Sequence, residues 1–221
     1  MSIPKSNRTR IGTRIHIHLS ETEREHTECI KKYGKTPAAY FDSLGLFNAP
    51  ATAAHCVWVT EEDMDILKKK NVTVACNPVS NMKLASGVCN VPMLLEKGIN
   101  VAIGTDSVAS NNSLNFIEEM KFFALASKMY YNRPEAVTPK ETLYAATRGG
   151  ALSQGRNDTG LIKEGFKADI TLVDITGRSW GKSLPLRSGE STESSGPEAL
   201  RLSALIFPLL ESSPPGNREA E

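Results

Sequence analysis

The sequence predicts an α/β protein built around a parallel sheet, on two observations. Short β-branched or small apolar runs alternate four times with segments of helical pattern. Strands and helices in that order form a parallel sheet joined by right-handed crossovers. Each apolar run also passes straight into a polar stretch, which gathers the chemistry at the strand ends. At 221 residues and 40% hydrophobic content, the chain has enough for one sizeable core and a small second unit.

Residues 14–19, Arg-Ile-His-Ile-His-Leu, alternate and are β-branched, as in a buried strand. The helix expected over 21–34 has acids in its first turn and Lys31 and Lys32 in its last, which suits its dipole. Thr36-Pro37 opens a short helix over 37–44, with proline at its first position. Residues 51–57, Ala-Thr-Ala-Ala-His-Cys-Val, read as a second strand. Thr60 caps a helix to residue 70 whose first turn is Glu61, Glu62 and Asp63. The third strand spans 71–76. Residues 77–84, Asn-Pro-Val-Ser-Asn-Met-Lys-Leu, read as a long polar loop. A short helix over 90–97 ends at Gly98. The fourth strand, 100–103, enters a further polar loop, Gly104-Thr105-Asp106-Ser107. Two more helices are expected, over 114–131 and from Thr138 to residue 152.

Residues 160–174 then read as a turn and two short strands, the start of a separate β unit. Past residue 175, Ser, Gly, Pro and charge dominate, and 177–196 is expected to be disordered. An apolar run over 199–210 reads as an isolated helix before a polar tail.

A formal net charge of +1 gives no argument for nucleic acid or a membrane surface as partner. No run reaches the roughly 18 apolar residues of a spanning helix. Residues 1–13 are basic and polar and lack the apolar region of a secretory signal. Cys29, Cys56, Cys76 and Cys89 show no CxxC spacing and read as reduced, mostly buried thiols of a cytoplasmic protein.

His18, His55 and Asp106 each lie where a strand ends, and Glu21 follows the first strand. Histidine and aspartate are common ligands for zinc and similar metals. In a barrel, such residues converge over one mouth at the carboxyl ends of the strands. A metal held there acidifies water, and a carboxylate at the mouth passes protons. Each residue also has a plain reading. His16 and His18 share a strand face, and His16 suits a packed core histidine as well as a ligand. His55 in an apolar strand suits a satisfied core residue. Asp106 suits a turn or helix cap. His26 suits a solvated helix surface. The joint pattern favours chemistry, because three separate strands end in the same kind of residue.

Four ordered motifs carry a family resemblance. They are His18-Leu19-Ser20-Glu21-Thr22-Glu23, Ala53-Ala54-His55-Cys56-Val57, Asn77-Pro78-Val79-Ser80-Asn81-Met82-Lys83-Leu84 and Gly104-Thr105-Asp106-Ser107-Val108-Ala109-Ser110-Asn111-Asn112. Together they resemble the amidohydrolase superfamily, most closely its branch of 5-methylthioadenosine/S-adenosylhomocysteine deaminases and related chlorohydrolases. The resemblance implies a partial TIM-like (β/α) barrel, strands five to eight, over 14–155, behind an irregular leader at 1–13. It implies a β-sandwich remnant over 156–176, with 177–221 as a low-complexity tail. His18 and Asp106 resemble metal ligands. Glu21 resembles the acid that shuttles a proton to the purine ring nitrogen. His55 resembles the histidine that steers hydroxide and leaving amine. Asp106 also resembles the group that accepts the water's proton, and Ser110 borders the substrate. The implied cofactor is one zinc, with iron in related enzymes. The implied reaction removes the exocyclic amine of an adenosine-like nucleoside.

The family's first-strand HxH pair and the substrate contacts between its second and fifth strands have no counterpart here. A truncated gene model or a shifted frame is the expectation for both ends. A half barrel has open sheet edges, and weak metal binding with little or no deaminase activity is expected of the isolated chain. Three other readings stay open: a guanine deaminase, an s-triazine chlorohydrolase, and a non-catalytic half barrel that pairs with itself or another chain.

Overall fold

A computed structural model describes residues 13–171. Its centre is a four-stranded, all-parallel sheet in the order β1-β2-β3-β4. The strands are β1 (Ile15–Leu19), β2 (Ala51–His55), β3 (Thr73–Cys76) and β4 (Val101–Ile103). Helices α1 (Glu23–Tyr33) and α2 (Pro37–Ser43) link β1 to β2, and α3 (Glu61–Lys69) links β2 to β3. Helices α4 (Pro78–Lys83) and α5 (Val91–Glu96) precede β4. After it come α6 (Val108–Asn111), α7 (Phe116–Tyr130), α8 (Pro139–Tyr144) and α9 (Gly150–Ser153). The expected parallel α/β sheet is therefore present.

The helix ends follow the caps in the sequence. Thr22 accepts from the Glu25 amide, and the chain leaves α1 through Gly34 at φ 66°. Thr60 and Asp63 form a reciprocal capping box at α3, as do Thr138 and Glu141 at α8.

Register divides the sheet into two faces. Leu19, Ala51, Ala53, Val74, Cys76, Val101 and Ile103 join one buried cluster with Met64, Leu67, Val91, Leu94 and Phe123. Leu67 and Leu94 are fully buried, each stabilising the fold by about 2 kcal/mol. The opposite face carries His16, His18, Thr52, Ala54, Thr73, Ala75 and Ala102. At the amino ends of the strands, the chain near α9 closes this face. Ser153 O accepts from Arg14 Nε at 3.1 Å and from Thr52 Oγ1 at 2.8 Å, and Gly149 O accepts from Asn100 Nδ2 at 3.1 Å. A Cβ on Gly149 would lie 2.2 Å from Val101 O, so this approach requires glycine.

The structure refines the local expectations and corrects two of them, at residues 77–84 and 160–171. The polar loop over 77–84 is mostly helix α4, with Pro78 in its first turn and Pro78, Ser80 and Asn81 buried. The loop over 104–107 is present and leads into α6, capped by Ser107. The single helix from Thr138 is interrupted by a π-helical turn, Ala145–Gly149, where the chain passes β4. Residues 160–171 form a turn without a strand. The remainder of the expected β unit, the leader up to residue 12, and the tail with its 199–210 helix lie outside the described residues. All four cysteines are free thiols, three of them buried. Among the described residues, no helix is long and apolar enough to cross a membrane.

Candidate metal centre at the strand ends

β1, β2 and β4 each lead into a non-glycine residue in the left-handed region: Ser20 at φ 47°, His55 at φ 71° and Asp106 at φ 59°. Such conformations carry strain and persist where surrounding contacts hold them. At β1 those contacts come from α1. The Glu25 carboxylate accepts from the Ser20 amide at 3.0 Å and the Glu21 amide at 2.8 Å. Ser20 Oγ lies 3.1 Å from His26 Nδ1. His26 is thus a buried structural histidine, contrary to the solvated surface position expected of it.

Strand alternation would put position 55 on the helix-covered face with Ala51 and Ala53. The left-handed turn at His55 breaks that alternation. Its ring instead meets the His18 ring edge-on, with centroids 4.9 Å apart. His55 is fully buried, and its Nδ1 lies 2.8 Å from Asn81 Oδ1. An amide oxygen only accepts, so Nδ1 is the donor in this contact. Nε2 faces the Glu21 carboxylate at 3.8 Å. Asn77 Nδ2 sits 3.4 Å from the same ring, and Gly104 makes room for that side chain. A Cβ on Gly104 would lie 2.3 Å from Asn77 Oδ1.

His18, Glu21 and His55 each offer a ligand atom, all within 4.8 Å of one another. Two imidazoles and a carboxylate form a donor set that suits zinc with an open position, and it also suits iron. Asp106 lies outside this closest group. Its Oδ2 accepts from the Ser80 hydroxyl at 2.6 Å and its Oδ1 from the Ser107 amide at 2.7 Å. Partial burial pushes the Asp106 carboxyl up. The Ser80 hydroxyl, the Ser107 amide and nearby His55 outweigh it and hold Asp106 below the usual aspartate range. Ser110 is half-buried in α6, its hydroxyl 2.8 Å from that of Ser107. His16 is exposed and, among the described residues, belongs to no such group.

The structure therefore brings together His18, Glu21 and His55, with Asp106 held at the end of β4 by α4. Sequence reasoning missed Glu25, Ser80 and Asn81. The signal for Ser80 and Asn81 was their position directly after a strand, in a segment read as a loop.

The amidohydrolase family pattern covers residues 7–198. A 5-methylthioadenosine/S-adenosylhomocysteine deaminase of Caldanaerobacter subterraneus subsp. tengcongensis is 48% identical over 167 residues, covering 75% of this chain and 39% of that protein. The crystal structure of an adenosine deaminase from Xanthomonas campestris with bound zinc superposes with a TM-score of 0.69 at 39% identity, covering 71% of this chain and 36% of that one. A guanine deaminase from C. acetobutylicum with bound guanine superposes with a TM-score of 0.63 at 27% identity, covering 69% and 38%. The chain thus spans about two fifths of the length of the curated relative it matches. Sheet order, polar strand ends and sequence match agree: the chain belongs to the amidohydrolase family.

Proposed function

We propose that this chain carries the carboxyl half of a hydrolytic deaminase barrel, acting on adenosine-like nucleosides such as 5-methylthioadenosine and S-adenosylhomocysteine. The grouping of His18, Glu21 and His55 at adjacent strand ends carries this reading. The 48% identity to a deaminase of that name supports the substrate class.

His18 and Asp106 are the proposed metal ligands, with Glu21 and His55 grouped beside His18. A bound zinc, or iron in its place, supplies Lewis-acid polarisation and acidifies water. Asp106, held ionised by Ser80 and Ser107, accepts the proton of the attacking water. Glu21 delivers a proton to the ring nitrogen of the purine. His55 orients the incoming oxygen and the departing amine through Nε2, the ring nitrogen that Asn81 does not engage. Ser110 borders the nucleoside.

The test uses the purified 221-residue chain. One zinc per chain is expected, weakly held and lost in His18→Ala, with at most trace ammonia release from 5-methylthioadenosine and none from Glu21→Gln. Absence of zinc binding sinks the metal-centre reading. Rapid turnover overturns the expectation of little or no activity in the isolated chain. Ammonia from guanine but not from an adenosine nucleoside shifts the substrate class, an outcome the guanine deaminase likeness makes worth measuring.

A further inference from the structure

Glu119 is 1% exposed, on the buried face of α7 with Phe123 and Ser127. A carboxylate there is costly to bury and contributes nothing to packing that a Gln or Leu could not supply. Its two oxygens serve different segments of the site. Oε1 accepts from Asn111 Nδ2, which also donates to Thr105 O at 2.6 Å, one residue before Asp106. Oε2 accepts from the Val79 amide at 3.3 Å, beside Ser80, which holds Asp106, and two residues before Asn81, which holds His55. Burial pushes the Glu119 carboxyl above the usual glutamate value, and the two hydrogen bonds only partly offset it. A second link between α4 and α6 runs from Lys83 Nζ to Ala109 O and Asn112 Oδ1, but it is exposed.

We propose that Glu119 is a positioning residue that ties the segment carrying Asp106 to the segment carrying Asn77, Ser80 and Asn81, and so sets the placement of Asp106 relative to His55. This rests on the strand-end group being the metal centre. Asn111 is the second member of the tie. The Lys83 link adds little because solvent competes for it.

The experiment is Glu119→Gln in the full chain, read by local amide hydrogen exchange and by zinc affinity. A glutamine turns one acceptor into a donor facing a donor, so one arm of the tie is lost. The expected result is exchange at least tenfold faster in residues 77–84 or 104–112, with β1 and β2 unchanged. Zinc affinity should fall about tenfold, the usual effect of losing a group that supports a ligand. Lys83→Ala should change neither, and Phe123→Leu should lower the melting temperature without local opening at the rim. Uniformly faster exchange across the sheet, or wild-type exchange at the rim, overturns the proposal. If Glu119→Gln does not fold, Asn111→Ala cuts one arm with the carboxylate retained and faces the same criteria. Failure of the unaltered chain to bind zinc refutes the metal-centre reading, whereas the exchange pattern judges the tie by itself.

Discussion

Nδ1 of His55 donates to the side-chain oxygen of Asn81 across 2.8 Å, with both residues buried. This contact joins the end of β2 to α4 and fixes the orientation of the imidazole. It also makes α4, rather than the strand alone, responsible for how His55 is held.

Removing that partner should cost more than its single hydrogen bond. Asn81→Ala leaves a buried imidazole N–H unsatisfied, a loss of about 1–3 kcal/mol. Urea denaturation should show a lower midpoint with an unchanged slope. Nitrogen-15 spectra should show the Nδ1 resonance of His55 shifted.

His18 tests the opposite case, because its side chain lies on the exposed part of the sheet. His18→Ala should change stability by no more than about 0.5 kcal/mol. Calorimetric titration should nonetheless show zinc binding abolished. A variant that keeps full zinc affinity would remove His18 from the centre.

Gly104→Ala should disturb the site through Asn77. The added Cβ meets the Asn77 oxygen at 2.3 Å, and that side chain has to leave the His55 ring. A cost of about 1–3 kcal/mol is expected by thermal denaturation. Gly149→Ala should be worse, since its Cβ meets the Val101 carbonyl of β4, and backbone yields less readily than a side chain.

Asp106 and Glu119 should push stability in opposite directions with pH. Asp106 has a folded value below its unfolded one, so its contribution is present above the unfolded aspartate range and fades as pH falls through the folded value. Glu119 has a folded value above its unfolded one, so its contribution is full below the unfolded glutamate range and fades as pH rises through the folded value. The stability gap between the wild type and Asp106→Asn should therefore widen with rising pH. The gap to Glu119→Gln should narrow. Urea denaturation from pH 3 to pH 8 measures both.

Local signals were sufficient for most elements. The Thr22, Thr36, Thr60 and Thr138 caps mark helix starts within a residue or two, because a cap satisfies amides from its own first turn. The β-branched and small apolar runs mark all four strands, since burial on a parallel sheet selects those residues. Residues 77–84 went the other way. Asn and Ser favour loops when their side chains bond nearby backbone, but here Ser80 and Asn81 bond Asp106 and His55 instead, and the backbone is free to turn into α4. His26 failed for a similar reason, its partner Ser20 being outside the helix whose surface it was expected to occupy.

By itself, the sequence determined the strand–helix alternation, the parallel sheet and the identities of the residues at the strand ends, because these depend on periodicity, caps and order along the chain. Tertiary structure alone decided that His55 turns out of its strand's alternation toward His18, that Glu21 rather than Asp106 lies closest to the two imidazoles, and that Glu119 is buried between α4 and α6. Those outcomes depend on left-handed backbone turns and on hydrogen bonds between residues distant in sequence, which no local pattern encodes.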